Sequence, residues 1–82
     1  MKYFTTTRNT TYRITSDPKI LGGKPVIKGT RIAVDFILEL LSSGMTEKGI
    51  LKEYPQLERD DIRAAMSFAA KTLEREEVVF VR

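Results

Sequence analysis

Apolar residues recur at helical spacing in three consecutive stretches of this 82-residue chain, and few folds accommodate that pattern. Residues 34–41 form the first stretch, which ends before Gly44, a residue suited to a left-handed helix end. The second stretch follows Thr46 and stops at Pro55, because proline cannot continue a helix. The third stretch occupies residues 60–77. Three short helices in close succession predict a helix-turn-helix arrangement.

Local signals predict how each helix starts and which side faces the core. Thr46 is suited to cap the second helix, and Asp60 and Asp61 in the first turn of the third complement its dipole. The side chains predicted to be buried are Val34, Ile37, Leu38 and Leu41 in the first helix, Ile50, Leu51 and Tyr54 in the second, and Ile62, Ala65, Met66, Ala69 and Leu73 in the third.

A glycine-rich basic segment precedes the helices. Residues 25–32 predict a β-hairpin that turns at Lys28 and Gly29, where glycine supplies a positive φ. Residues 12–15 alternate between apolar and polar side chains and predict a short strand. The predicted fold class is therefore mainly α, a three-helix homeodomain-like or winged helix-turn-helix unit with a short N-terminal β-hairpin.

The chain divides into three predicted parts. Residues 1–12 are a polar tail or an edge strand, residues 13–77 form the hairpin and helix-turn-helix domain, and residues 78–82 form a C-terminal β-type arm. Four consecutive apolar residues rarely remain in water, so the arm either adds a strand to its own domain or engages another chain. The predicted partner-binding residues are Val78, Val79, Phe80, Val81 and Arg82.

Composition argues against catalysis and against a bound cofactor. The chain has no cysteine and no histidine, so it has no disulfide, no thiolate metal site and no imidazole to act as base or zinc ligand. We expect no enzyme activity, no metal and no cofactor. A chain this short has a modest core, which favours a homodimer or a larger oligomer.

Charge is distributed unevenly along the chain. Residues 1–31 hold seven of the 14 cations but one of the 11 acids, so they carry a net charge of +6, and residues 32–82 carry −3. The basic part would face any polyanion that the chain binds. No apolar run is long enough to span a membrane, and the cytoplasm is the expected compartment.

Four polar residues of the third helix recur at four-residue steps: Arg59, Arg63, Ser67 and Lys71. Each step drifts by about 40°, so neighbouring members share a helix face. Like-charged pairs at this spacing are destabilising unless an external anion faces them, and arginine commonly reads guanine. We predict that these residues contact the major groove of DNA. The alternative is a solvated face whose charge is balanced by nearby acids.

Three cations of the glycine-rich segment, Lys24, Lys28 and Arg31, are predicted to hold DNA phosphates. A purely structural hairpin is the alternative. Glu58 with Asp60 and Asp61 has the composition of a cation site, although acids at a helix start are explained by the dipole.

The chain resembles the domain-of-unknown-function 433 family over about residues 13–70. The combination of glycine-lysine-proline, glycine-threonine-arginine and tyrosine-proline blocks is specific. The residues that carry the resemblance are Ile14, Pro18, Gly22, Gly23, Lys24, Pro25, Ile27, Gly29, Thr30, Arg31, Ile32, Val34, Gly44, Met45, Thr46, Ile50, Leu51, Tyr54, Pro55, Leu57, Asp61, Ile62, Ala64 and Ala65.

That resemblance implies a homeodomain-like fold and a VapB-like antitoxin role, with a PIN-like ribonuclease toxin as partner. Three positions depart from the family pattern. Ala33 and Glu58 stand where helix-capping residues are usual, which weakens capping by about 1 kcal/mol each at most. Lys48 and Gly49 replace an acidic pair and add positive charge to the second helix.

The resulting hypothesis is an oligomeric, DNA-binding antitoxin that neutralises its toxin and autoregulates its operon. The alternative is a homo-oligomeric protein-interaction module that does not bind nucleic acid. The net charge of −3 on residues 32–82 supports this alternative.

Overall fold

The computed structural model describes residues 11–75, and within them the three predicted helices are confirmed. Both ends of the chain lie outside this range, so the predictions for residues 1–10 and 76–82 fall outside the described residues. In chain order the elements are β1 (Ile14–Thr15), β2 (Val26–Ile27), α1 (Val34–Ser42), α2 (Glu47–Glu53) and α3 (Arg59–Arg75), with single 3₁₀ turns at Thr11–Arg13 and Leu21–Gly23.

The two strands form the antiparallel N-terminal hairpin, but with a different pairing from the predicted one. Ile14 lies opposite Ile27 in the sheet. The turn at Gly29 does form, with φ of 82° and the Ile27 amide donating to the Ile32 carbonyl (3.0 Å). Beyond it, Ala33 makes one bridge to β2 and no second strand follows. The predicted 25–32 hairpin is therefore present as a tight turn closed by backbone hydrogen bonds, and the pairing of β2 with β1 is an addition to it. The second arm of the turn stays short because α1 begins directly after the bridge.

Local sequence signals account for the joint between α1 and α2. Gly44 has φ of 104°, a conformation that ends α1 without the strain a side chain would add. Thr46 accepts a hydrogen bond from the Gly49 amide (3.0 Å), which confirms the predicted cap of α2. Ala33 precedes α1 without a side-chain cap, as its residue type requires.

The core lies where the three helices meet the hairpin. Ile37 of α1, Ile50 of α2 and Ile62 of α3 are fully buried, and Ile27 joins them from β2. The Phe36 ring meets the Tyr54 ring edge-on at 5.6 Å beside this core. Each helix contributes one fully buried isoleucine, and burial of these three side chains stabilises the packing of the helices against one another.

The predicted buried side of α3 was partly wrong. Met66 and Leu73 are 41% and 60% exposed, whereas Ala64 is buried. The reason is the position of the N-terminal segment, because β1 and the turn before it pack against α3. Ile14 of β1 borders Phe68 and Thr72 of α3, whereas the Met66 side stays in solvent.

Replacing Thr46 by alanine tests the capping of α2. The variant should lose about 1 kcal/mol of unfolding free energy, since the Gly49 amide loses its acceptor. Urea unfolding measures the loss, and Ser42→Ala on an exposed position is the matched control. Equal stability of the Thr46 variant and the parent chain would contradict the role of this cap.

A candidate nucleic-acid interface on the third helix

The solvent-facing side of α3 carries a continuous stripe. Arg59, Arg63, Met66 and Ala70 recur at intervals of four, three and four residues, and all four are exposed. We call these four residues the α3 stripe. It combines two guanidinium groups with one long apolar side chain and one small residue. This composition suits contact with base edges and thymine methyl groups.

Arg13 organises the opposite side of the N-terminal end of α3. Its guanidinium donates to the Asp61 carboxylate at 2.9 Å and to the Glu58 carboxylate at 3.0 Å, and lies 3.8 Å from Asp60. The Asp61 carboxylate also accepts a hydrogen bond from the Glu58 amide (2.8 Å) and so caps α3. The side chains of Arg13 and Asp61 are 19% and 7% exposed, and the Arg13 guanidinium stacks over Tyr12 at 5.4 Å.

The Arg13 guanidinium lies among Glu58, Asp60 and Asp61, the three acids whose composition is that of a cation site. It therefore takes the position that a bound cation would occupy. The acids raise the pKa of the Arg13 guanidinium above its ordinary value, with Asp61 as the largest cause and Glu58 as the next. A basic group whose pKa is higher in the folded chain than in the unfolded chain stabilises the fold at every pH below its unfolded pKa. This stabilisation is lost only as the pH rises through the folded pKa. Arg13 therefore stays charged throughout the neutral range.

The cluster changes the charge balance of α3. The sequence alone allowed Asp60 and Asp61 to neutralise the arginines on a solvated face. In the structure both acids lie against the Arg13 guanidinium, at 3.8 Å for Asp60 and 2.9 Å for Asp61. Glu47 of α2 lies 3.5 Å from Arg59, whose side chain is 67% exposed. The α3 stripe thus keeps a net positive charge.

The structure brings together some of the predicted helix residues and separates others. Arg59 and Arg63 share the α3 stripe, and Ser67 lies half-buried at its margin. Lys71 lines a separate depression beside Ile14, because three steps of about 40° carry it around the helix.

The predicted hairpin cations do not form one patch. Lys24 and Arg31 line a depression on the outer side of α1, where Lys24 pairs with Asp35 at 3.0 Å. Lys28 lies instead beside Arg13 and the N-terminal end of α3. Of the three, only Lys28 borders α3.

Sequence reasoning missed the role of Arg13 and the exposure of Met66. Arg13 and Asp61 are 48 positions apart in the sequence, and no local sequence pattern predicts a contact between residues so far apart. A weak signal for Asp61 existed, because an acid three residues after Glu58 has the spacing of a capping box.

Residues 11–75 offer neither a metal site nor a membrane-spanning helix. That part of the chain contains no group of three acids or other ligands able to hold a metal ion. It also contains no helix with the length and apolarity needed to cross a bilayer.

Replacing Arg13 by leucine tests the ion cluster. We expect a lower urea midpoint of unfolding than in the parent chain, because buried Asp61 loses its countercharge. Arg13→Lys should fall between the two, since an ammonium group reproduces the charge but not the planar fork. Arg31→Leu removes an exposed arginine as a control. Equal midpoints for the two leucine variants would contradict the account.

These features define a small three-helix domain with an N-terminal β-hairpin and the element order of helix-turn-helix proteins. Comparison with known proteins then identifies the family. A model of the protein family of unknown function DUF433 matches residues 14–69, and the chain belongs to that family.

Two relatives show the extent of the similarity. The uncharacterized protein y4eO of Sinorhizobium fredii is 38% identical over 56 residues, which are 68% of this chain and 25% of that protein. The crystal structure of a DUF433 member from Anabaena variabilis aligns with a TM-score of 0.71 and 30% identity, over 77% of this chain and 62% of the other. The chain thus spans less than two thirds of either relative.

Proposed function

We propose that this protein is a DNA-binding antitoxin whose third helix enters the major groove. The observation that supports it is the ion cluster around Arg13. Asp60 and Asp61 lie against Arg13 in this cluster, so the acid paired with the α3 stripe is Glu47, at 3.5 Å from Arg59, and the stripe keeps a net positive charge. A guanidinium on an exposed helix face has the geometry to meet guanine or phosphate oxygens.

The second helix supplies the remaining contacts in this proposal. In helix-turn-helix proteins the helix before the recognition helix crosses the DNA backbone. Lys48 and Lys52 of α2 are exposed and one helical turn apart. They would pair with phosphates while Arg59 and Arg63 reach into the groove. Lys28, which borders the N-terminal end of α3, is suited to a flanking phosphate.

The antitoxin part rests on the family resemblance. The proposed partner is a PIN-like ribonuclease toxin in the cytoplasm, which the chain neutralises by covering its active-site cleft. Residues 76–82 would reach that partner or a second subunit, and DNA binding would place the pair on its own operator. Purifying the chain with the product of an adjoining PIN-like gene tests this part, and separate elution of the two would contradict it.

Salt-dependent titration tests the DNA part. Five cations at phosphates or bases predict that log affinity falls with log salt with a slope between about −4 and −5. Affinity for a duplex, measured by fluorescence anisotropy, should then drop by about 500-fold between 50 and 200 mM salt. Binding that ignores salt, or no binding below about 100 μM protein, would refute the proposal.

One observation favours a protein-interaction module as the second candidate. The Arg59 guanidinium already lies 3.5 Å from Glu47, so part of the positive charge on the α3 stripe has a partner within the domain. If that pairing dominates, the stripe serves assembly rather than DNA. The charge-reversal variants described below separate the two functions.

A further inference from the structure

An apolar groove separates the start of α1 from the C-terminal half of α3. Its walls are Val34 and Leu38 on one side and Phe68, Ala69 and Leu73 on the other. The groove has a volume of about 310 Å³. That is roughly twice the volume of a cavity able to hold a benzene ring, about 150 Å³, so two large side chains fit.

The polar groups at this groove are already paired within the domain. The Asp35 carboxylate binds the Lys24 ammonium at 3.0 Å, and the Thr72 hydroxyl donates to the Phe68 carbonyl at 2.9 Å. An occupant therefore finds no unpaired charge or donor in the walls. Such a surface selects an apolar segment, because a polar one would lose its hydration without gaining hydrogen bonds.

The sequence offers one segment of matching chemistry outside the described residues. Residues 78–81 are Val, Val, Phe and Val, with no charge and no polar side chain. In an extended segment alternate side chains point to the same side, so Val78 and Phe80 would enter the groove together. The pair has one aromatic ring and one branched side chain, which suits the groove volume.

Two residues connect the end of α3 to residues 78–81. They decide whether the groove holds this segment from the same chain or from a second copy of the chain. α3 remains helical through Arg75, so only Glu76 and Glu77 separate its end from Val78. A segment that returned to its own groove would have to reverse direction there. Glutamate favours helix, and the link has none of the glycine, proline or asparagine that such reversals use.

We propose that residues 78–81 of a second copy of this chain occupy the groove, and that the exchange is reciprocal. In a two-fold dimer each groove holds the segment of the other copy, so the same contact occurs twice and no groove or segment is left exposed. The proposal depends on the groove and the link, and not on DNA binding by the α3 stripe.

Light scattering on the eluting full chain, without DNA, tests the dimer. The parent chain should elute as a dimer at about 100 μM protein, which detects any dimer with a Kd in the micromolar range or below. Leu73→Glu in the groove and Phe80→Glu in the segment should each give a monomer. Met66→Glu, an equal change on the other side of α3, should leave the dimer intact. A monomeric parent chain, or dimers in both the Leu73 and Phe80 variants, would overturn the proposal.

Cross-linking separates exchange between copies from folding back within one. The chain has no cysteine, so Ala69→Cys with Val78→Cys introduces the only two thiols, one in the groove wall and one on the side of the segment that faces it. Mild oxidation should give a covalent dimer on a non-reducing gel. A monomer band with an internal disulfide would show that the segment occupies its own groove and would overturn exchange between copies. Because neither assay contains DNA, their failure is distinct from failure of the proposed function.

Discussion

The double variant Arg59→Glu with Arg63→Glu should bind duplex DNA at least about 100-fold more weakly than the parent chain. Each arginine at a base is worth about 1–3 kcal/mol of discrimination, and each lost cation lowers the salt slope by about one. The loss follows from the exposed position of both guanidinium groups on the α3 stripe. Anisotropy titrations at two salt concentrations measure both effects.

A second charge reversal serves as the control for the first. Lys24→Glu with Arg31→Glu changes the net charge equally but acts at the depression beside α1. If α3 carries the contact, this variant should keep most of the affinity of the parent chain. If it loses binding while the α3 variant keeps it, the basic hairpin is the interface. If the α3 variant loses assembly without any DNA effect, the protein-interaction function is correct.

Replacing Ile62 by alanine should cost about 2–5 kcal/mol of unfolding free energy. Ile62 is fully buried where α3 meets α1 and α2, and a truncated side chain there leaves a cavity that the helices fill only partly. A domain of this size has a total stability of about 5 kcal/mol or little more. The melting temperature should therefore fall by at least about 10 °C.

Met66→Ala is the matched control for the core variant. It lies one helical turn away on the same helix but is 41% exposed, so it should change stability by less than about 1 kcal/mol. Circular dichroism melts of both variants measure the difference. Equal losses would mean that Met66 is buried, as the apolar periodicity alone predicted, and that the orientation of α3 is wrong.

The helices were predictable because their signals are local. Gly44, Thr46 and Pro55 mark ends and starts within a few residues of the helices that they delimit, and the structure places those ends accordingly. The rotation of α3 was not predictable in the same way. It depends on β1, which lies about fifty residues away in sequence and packs against α3, where Ala64 is buried and Met66 is exposed.

The candidate interface was predictable in part for similar reasons. The spacing of Arg59 and Arg63 placed them on one face, since four residues are close to one helical turn. Over the twelve residues from Arg59 to Lys71 the drift of each four-residue step accumulates, so Lys71 no longer lies on that face. The charge balance of α3 required knowing that Arg13 takes up Asp60 and Asp61, which is a contact between distant parts of the chain. The pairing of β2 with β1 escaped prediction because the turn at Gly29 offered β2 a nearer partner than β1, which is joined to β2 through residues 16–25.

Chemical-shift mapping with the ¹⁵N-labelled chain and a DNA duplex tests the central claim most directly. Titration should shift the amide signals of Arg59, Arg63, Met66 and Ala70, together with those of Lys48 and Lys52 on α2. The signals of α1 residues around Asp35 and Glu39 should move little. Shifts concentrated on that side of α1, or none at a DNA concentration that saturates binding, would contradict the account.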